Sequence, residues 1–341
     1  EAPVGTPLAD IQTVKQFLDA GYGVLSFDQR GFGASGGTVT VMDPDRDGAS
    51  LIALVDWAQV NLDWLQYRDG NMVLGAYGGS YGGGYQLLLN NIDPRRRLDA
   101  IVPSITWNDL SYSLSPGGVL KSGYGVALTA VGEVGSIANL DNEVRQLLIN
   151  GLANNRFSSE EQASLIYRSN RYFCDGDTLP GKRAASTPRA VDALFFQGMH
   201  DVLFNFNEAL ANYECQSRAG GDVRLLSYNI GHVLPSGTGL ISGGLSAPAD
   251  FARCGPYIAG EMTLTWFNAK LKRDPGAQAA VNAFPEHCVV LESNGEGVLL
   301  NRIPRGGTEY PIVQTLVPQL LPLQTSVPLF TAEIPTVIAG I

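Results

Sequence analysis

The chain has 341 residues, 45% of them hydrophobic, and carries a formal net charge of −10. That length accommodates one large α/β domain with an insertion, or a domain and part of a second, with ample apolar material for a core. No Lys/Arg run or basic aromatic patch occurs, which argues against a nucleic-acid partner, and the acidity bears on solubility without naming a substrate.

Thr13 to Ala20 reads as a helix, with Val14, Phe17 and Leu18 on its apolar face and Gly21 as its stop. Tyr22-Gly23-Val24-Leu25-Ser26-Phe27 reads as a buried strand ending in a loop at Asp28. Ser50 to Leu62 has amphipathic helical spacing, carried by Leu51, Leu54, Val55 and Ala58. Met72 to Tyr77 is the next strand, a helix runs on to about Asn90, and Leu98 to Pro103 is a further strand. This β-α-β-α-β alternation with apolar strands predicts a mostly parallel sheet covered by helices on both faces.

After Trp107 the rhythm changes. Residues 108–188 hold helical pieces, at Asn142–Leu152 and Ser159–Arg168, with Gly/Ser-rich joints and no clear strand. The segment is expected to be a helical cap inserted over the catalytic end of the sheet. The alternation resumes with a strand at Val191–Gln197, a helix at Asn207–Ala219, a strand at Val223–Tyr228, and a helix at Pro256–Leu271 with proline in its first turn. Beyond Ala283 only short β-like segments are expected. The organisation is thus a core in two parts, 1–107 and 189–283, a cap at 108–188, and a C-terminal extension at 284–341.

No uninterrupted apolar span has membrane length. The apolar stretch from Leu316 to Ile341 is broken by Pro318, Pro322, Pro328 and Pro335. The chain shows no initiator Met and no signal peptide. Its four cysteines, Cys174, Cys215, Cys254 and Cys288, lack CxxC or CxH spacing, so no metal centre is expected. One or two disulfides in an exported protein fit this spacing, and so do buried thiols. Cys254 and Cys288 bracket one expected helix and are the first pair to test.

The most informative stretch is Gly78-Gly79-Ser80-Tyr81-Gly82. It follows the strand ending at Tyr77 and precedes a helix, so Ser80 stands at the apex of a tight strand-to-helix turn, the nucleophile elbow of an α/β-hydrolase. Small residues two before and two after the serine let strand and helix approach. Gly33-Ala34-Ser35-Gly36-Gly37 also matches the bare pattern, which a chain with 40 glycines produces by accident. Ser35 follows the polar loop Asp28-Gln29-Arg30-Gly31-Phe32 and has no flanking strand or helix, so it reads as a loop serine.

A serine hydroxyl needs a base to take its proton, and the base needs a carboxylate to orient it. In this fold the order is Ser, Asp/Glu, His, each in a loop at a strand's C-terminal end. The chain has three histidines. His232 follows the Val223–Tyr228 strand, where the base is required. His200 comes one loop too early, and His287 lies past the last core helix, structural or at the surface. Asp201 occupies the loop upstream of His232. Asp192 and Asp222 precede their strands, and Asp175 and Asp177 fall in the cap, where they suit turns. The oxyanion hole needs two donors, of which the backbone N–H of Tyr81 is one. The other normally belongs to a loop before the first helix, where Glu1–Leu8 stands with no strand ahead of it. The chain is therefore expected to be truncated, lacking the first strands.

Four segments resemble the X-Pro dipeptidyl-peptidase and cocaine-esterase-like group of serine hydrolases. They are Phe27–Gly37, Gly78–Gly83, the run from Gln197 to Ala209, and Gly231-His232. The resemblance covers roughly residues 10 to 270. It implies a Ser80, Asp201, His232 triad with Tyr81 supplying an oxyanion N–H, a helical cap, and no cofactor. It also implies that 284–341 begins a C-terminal jelly roll, so that truncation is expected at both ends. The expected activity is acyl transfer on a small-molecule ester or peptide by a secreted or periplasmic enzyme, foremost an X-Pro dipeptidyl-peptidase. A carboxylesterase or polyester hydrolase of the same fold, and an inactive hydrolase-fold binding module, are the alternatives.

Overall fold

The computed structural model describes residues 11–133, 139–229, 231–232, 252–290 and 295–303; the loop at 1–8 and the proline-broken stretch at 316–341 lie outside them. Helix α1 (Ile11–Asp19) sets Phe17 against Tyr22, Tyr77 and Phe267, whereas Leu18, expected on the apolar face, is 53% exposed. The run 22–27 forms no strand, contrary to expectation, and Leu25 is exposed. An apolar run becomes a strand only where a neighbour completes its ladder of hydrogen bonds, and among the described residues no strand is hydrogen-bonded to this one.

Helix α2 (Asp47–Asn61) buries Leu51, Val55 and Ala58. Strands β1 (Tyr67–Arg68) and β2 (Asn71–Met72) make a hairpin whose turn residues, Asp69 and Gly70, both have positive φ. Met72 therefore belongs to the hairpin, and the elbow strand β3 runs from Leu74 to Gly79. Helix α3 (Tyr81–Ile92) leaves it directly and leads to β4 (Leu98–Ser104). Among the described residues five α-helices follow: α4 (Leu110–Leu114), α5 (Ser122–Glu133), α6 (Asn142–Asn154), α7 (Ser159–Tyr167) and α8 (Asn170–Asp175). Their starts are written in the sequence. Asp109 and Asp141 accept from backbone N–H groups of α4 and α6, and Ser158 with Glu161 forms a capping box on α7.

Strand β5 (Asp192–Gly198), helix α9 (Phe206–Ala219) and strand β6 (Val223–Tyr228) come next. A second hairpin, β7 (Arg253–Cys254) and β8 (Tyr257–Ile258), precedes α10 (Ala259–Lys270). Pro256 thus sits in a hairpin turn and not in the first turn of the helix. Helix α11 (Pro275–Asn282) was not expected, although Asp274 caps it through Ala277 N–H at 2.7 Å and Pro275 opens it. Strands β9 (His287–Val290) and β10 (Gly297–Leu300) close the described chain.

Among the described residues six strands form one sheet in the order β10-β9-β6-β5-β4-β3, parallel throughout except for β10. Residues beyond 283 thus contribute two strands to this same sheet, and the expected boundary there does not part them from it. Alternate residues of the central strands enter two cores. Ile101, Phe195 and Leu225 pack with Leu87 and Leu88 of α3, while Val102, Leu194, Phe196 and Leu226 pack with Trp266 and Phe267 of α10. A mostly parallel sheet covered on both faces, entered by a strand-serine-helix turn, is the α/β-hydrolase fold. Two disulfides staple it: Cys254–Cys288 joins the second hairpin to β9, and Cys174–Cys215 joins the end of α8 to α9. Among the described residues no helix is long and apolar enough to cross a membrane.

Candidate active site

Ser80 is the residue between β3 and α3, with φ 56° and ψ −120°, a region that a residue with a Cβ adopts only under constraint. The constraint is visible. Ser80 N–H donates to Ser104 O at 2.9 Å, and its own carbonyl accepts from Gly83 and Gly84 N–H. The glycines around it are unequal. A Cβ on Gly78 would lie 2.7 Å from Gly82 O, and one on Gly83 would lie 2.7 Å from Thr106 Cβ, whereas a Cβ on Gly82 would meet nothing within 4 Å. The steric need for glycine therefore falls at two before and three after the serine, not at two after. Ser35 lies in an exposed loop, its hydroxyl donating to Asp28 O.

Because β3, β5 and β6 are parallel, their C-terminal ends open on one edge of the sheet, and the loops there carry Ser80, Asp201 and His232. These three side chains meet. His232 Nε2 is 2.8 Å from Ser80 Oγ, and His232 Nδ1 is 2.7 Å from Asp201 Oδ2. The carboxylate is buried, and its other oxygen accepts from Leu203 and Phe204 N–H at 2.9 and 2.8 Å. The Phe204 ring stands edge-on to the imidazole, with ring centres 5.1 Å apart. Gln197, fully buried at the end of β5, donates to Phe204 O and holds the loop from below.

Gly231 explains the residue before the histidine. A Cβ there would lie 2.5 Å from both Cα and N of Asp201. No L side chain fits, so Gly231→Ala is expected to push the two loops apart. A displacement of about 1 Å at reacting groups costs roughly a hundredfold in rate. The rate at which a fluorophosphonate labels Ser80, with circular dichroism to confirm the fold, checks this.

The remaining candidates lie elsewhere. His200 is exposed beside Asp201. His287 is buried in β9 with its ring 4.6 Å from that of Tyr213, and burial lowers its pKa, so it is a core histidine and not a surface one. Asp192 and Asp222 both pair with Lys270 at the opposite ends of their strands. Asp175 pairs with Arg171, and Asp177 takes part in a backbone turn with Tyr172. Among the described residues no group of three His, Cys, Asp or Glu side chains is placed to hold a metal.

Tyr81 contributes in two ways. Its N–H, with that of Gly82, is among the first of α3 and has no carbonyl a turn back within the helix. Its ring packs edge-on against Phe32 and Trp107, and its buried hydroxyl accepts from Met42 N–H.

Glu208, which sequence reasoning passed over although it lies in the acid-loop match, is buried on α9. Its Oε2 accepts from Asn108 and Asp109 N–H, pinning the chain after β4. Burial pushes its pKa up from 4.5 to about 7. Folding therefore disfavours its carboxylate: the penalty is absent below about pH 4.5 and grows to roughly 3 kcal/mol as pH rises past 7. Glutamine copies the neutral acid. Between pH 5 and pH 8, urea unfolding is expected to shift in favour of Glu208→Gln over the native protein by roughly 2 kcal/mol.

The family model for X-Pro dipeptidyl-peptidase (S15 family) matches residues 6–234. No curated protein sequence matches the chain significantly. Among solved structures, an aminopeptidase from the marine sediment archaeon Thaumarchaeota archaeon is similar with a TM-score of 0.48 and 14% identity, over 83% of this chain and 46% of its own. An esterase of Pyrococcus furiosus is similar with a TM-score of 0.39 and 18% identity, over 65% of this chain and 68% of its own. The acylaminoacyl peptidase of Pyrococcus horikoshii gives 0.36 and 11%, over 67% and 28%. The chain thus spans less than half the length of that aminopeptidase.

Proposed function

The chain belongs to the X-Pro dipeptidyl-peptidase (S15) family, and we propose that it is a serine hydrolase in which Ser80, His232 and Asp201 act as a triad. One observation carries the reading: the continuous contact from Ser80 Oγ through both nitrogens of His232 to the buried Asp201 carboxylate. His232 Nε2 takes the hydroxyl proton as Oγ attacks the substrate carbonyl. Asp201 keeps the proton of Nδ1 in place and stabilises the imidazolium. The Tyr81 N–H donates to the oxyanion. The imidazolium then protonates the departing amine or alcohol, and water releases the acyl group from Ser80 by the same steps in reverse order.

The substrate class is an X-Pro dipeptide at a peptide N-terminus, with the helices between β4 and β5 acting as the cap. Two disulfides support an exported, secreted or periplasmic enzyme. A fluorophosphonate probe should label the folded protein at Ser80 and no other residue. A folded protein that resists the probe is a binding module, and the reading falls. Alanyl-proline p-nitroanilide should be cleaved with a higher kcat/KM than p-nitrophenyl butyrate. The opposite order makes the enzyme a carboxylesterase of the same fold.

A further inference from the structure

We propose that Lys121 and Tyr124, at the start of α5, are positioning residues that clamp the loops carrying Asp201 and His232, so that the helical segment after β4 shapes the triad as well as covering it. The inference rests on the triad reading above. Lys121 Nζ donates to the carbonyls of Val202 and Leu203, at 2.9 Å each. These residues directly follow Asp201, and the N–H of Leu203 is one of the two that fix the carboxylate. The Tyr124 hydroxyl donates to the His232 carbonyl at 2.9 Å, an oxygen that Val202 N–H also reaches at 3.1 Å. One helix start therefore grips the acid loop twice and the base loop once, and Val202 ties the two loops together. These carbonyls lie outside the sheet ladder, so these side chains supply partners that regular structure does not.

The clamp is also a charge. Burial lowers the pKa of Lys121, while the Asp201 and Glu208 carboxylates draw it up. The titratable groups facing this cluster are Lys121, just before α5, Tyr124 from α5, Glu208 from α9 and Tyr228 from β6, with His200 exposed on the acid loop itself. A lysine cation hydrogen-bonded to the acid loop adds a positive charge to the surroundings of the triad. Removing it makes the imidazolium easier to form, so the acid limb of the kcat/KM profile moves to higher pH.

The test is the pH dependence of p-nitrophenyl acetate hydrolysis by the full chain. Lys121→Met should move the acid limb up by roughly half a pH unit, and Lys121→Arg should leave it where it is. Should the methionine variant fail to fold, Lys121→Gln removes the same charge. Tyr124→Phe should lower kcat about threefold to tenfold with KM and the limb in place. A purely structural lysine would lower the amount of active enzyme without moving the limb. An unmoved limb in the neutral variants, or an unchanged kcat in Tyr124→Phe, overturns the clamp; with Ser80→Ala inactive, the triad still stands. Hydrolysis that survives Ser80→Ala overturns both.

Discussion

Ser80→Ala is expected to lower kcat by roughly 10⁵- to 10⁶-fold, and adding His232→Ala to that variant is expected to lower it no further. In the proposed mechanism Oγ is the atom that bonds to the acyl carbon, and every proton that His232 Nε2, 2.8 Å away, moves belongs to a step that depends on that bond. Once the hydroxyl is gone the imidazole has nothing to activate, so the two losses overlap instead of adding. What survives is the rate that binding and the Tyr81 N–H confer on attack by water. Single-turnover measurement with a p-nitrophenyl ester, on protein freed of trace native enzyme, reads this directly. Additive losses would show that His232 also serves a nucleophile other than Ser80. The strained φ of 56° at residue 80 sharpens the expectation, because alanine bears the same Cβ and asks nothing new of the turn.

The serine, acid and base candidates were all legible in the sequence because each is a local signal: a polar residue in the loop that follows a strand, in the one chain order the fold permits. The strand Val223–Tyr228 is found at its expected bounds for the same reason, whereas β9 falls among the short β-like segments expected beyond Ala283 without bounds, because His287 and Cys288 do not look like an apolar run. The run 22–27 went the other way. Its composition suits a strand, but strand pairing is a property of two segments, and composition describes only one. Pro256 shows a competing use of one residue: proline suits a helix's first turn and a hairpin turn alike, and only the pairing of Arg253–Cys254 with Tyr257–Ile258 decides between them. Lys121 and Tyr124 carried no readable signal. Their partners are backbone carbonyls about 80 and 108 residues further along the chain, which no spacing or pattern announces.

Asp201→Asn is expected to lower kcat by about 10⁴-fold while leaving the fold and the heavy-atom positions intact. The local hydrogen bonds make the outcome specific. Oδ1 of Asp201 accepts from two backbone N–H groups, of Leu203 and Phe204, and only an oxygen can occupy that place. Asparagine must therefore keep its carbonyl there and turn its NH₂ toward His232 Nδ1, where Oδ2 stood at 2.7 Å. Facing a donor, Nδ1 becomes the acceptor and the ring proton moves to Nε2. The imidazole then points an N–H at Ser80 Oγ and cannot take its proton. Asp201→Ala, by contrast, removes the orienting oxygen without imposing the wrong tautomer, and should retain more activity than the asparagine variant although it disturbs the acid loop more. Neutral-pH kcat for both variants decides the matter, with the Nδ1 proton resonance of His232 as a second readout. The native protein should show that resonance and Asp201→Asn should lack it. An asparagine variant as active as the alanine variant would mean that the two backbone donors do not set the orientation of this side chain.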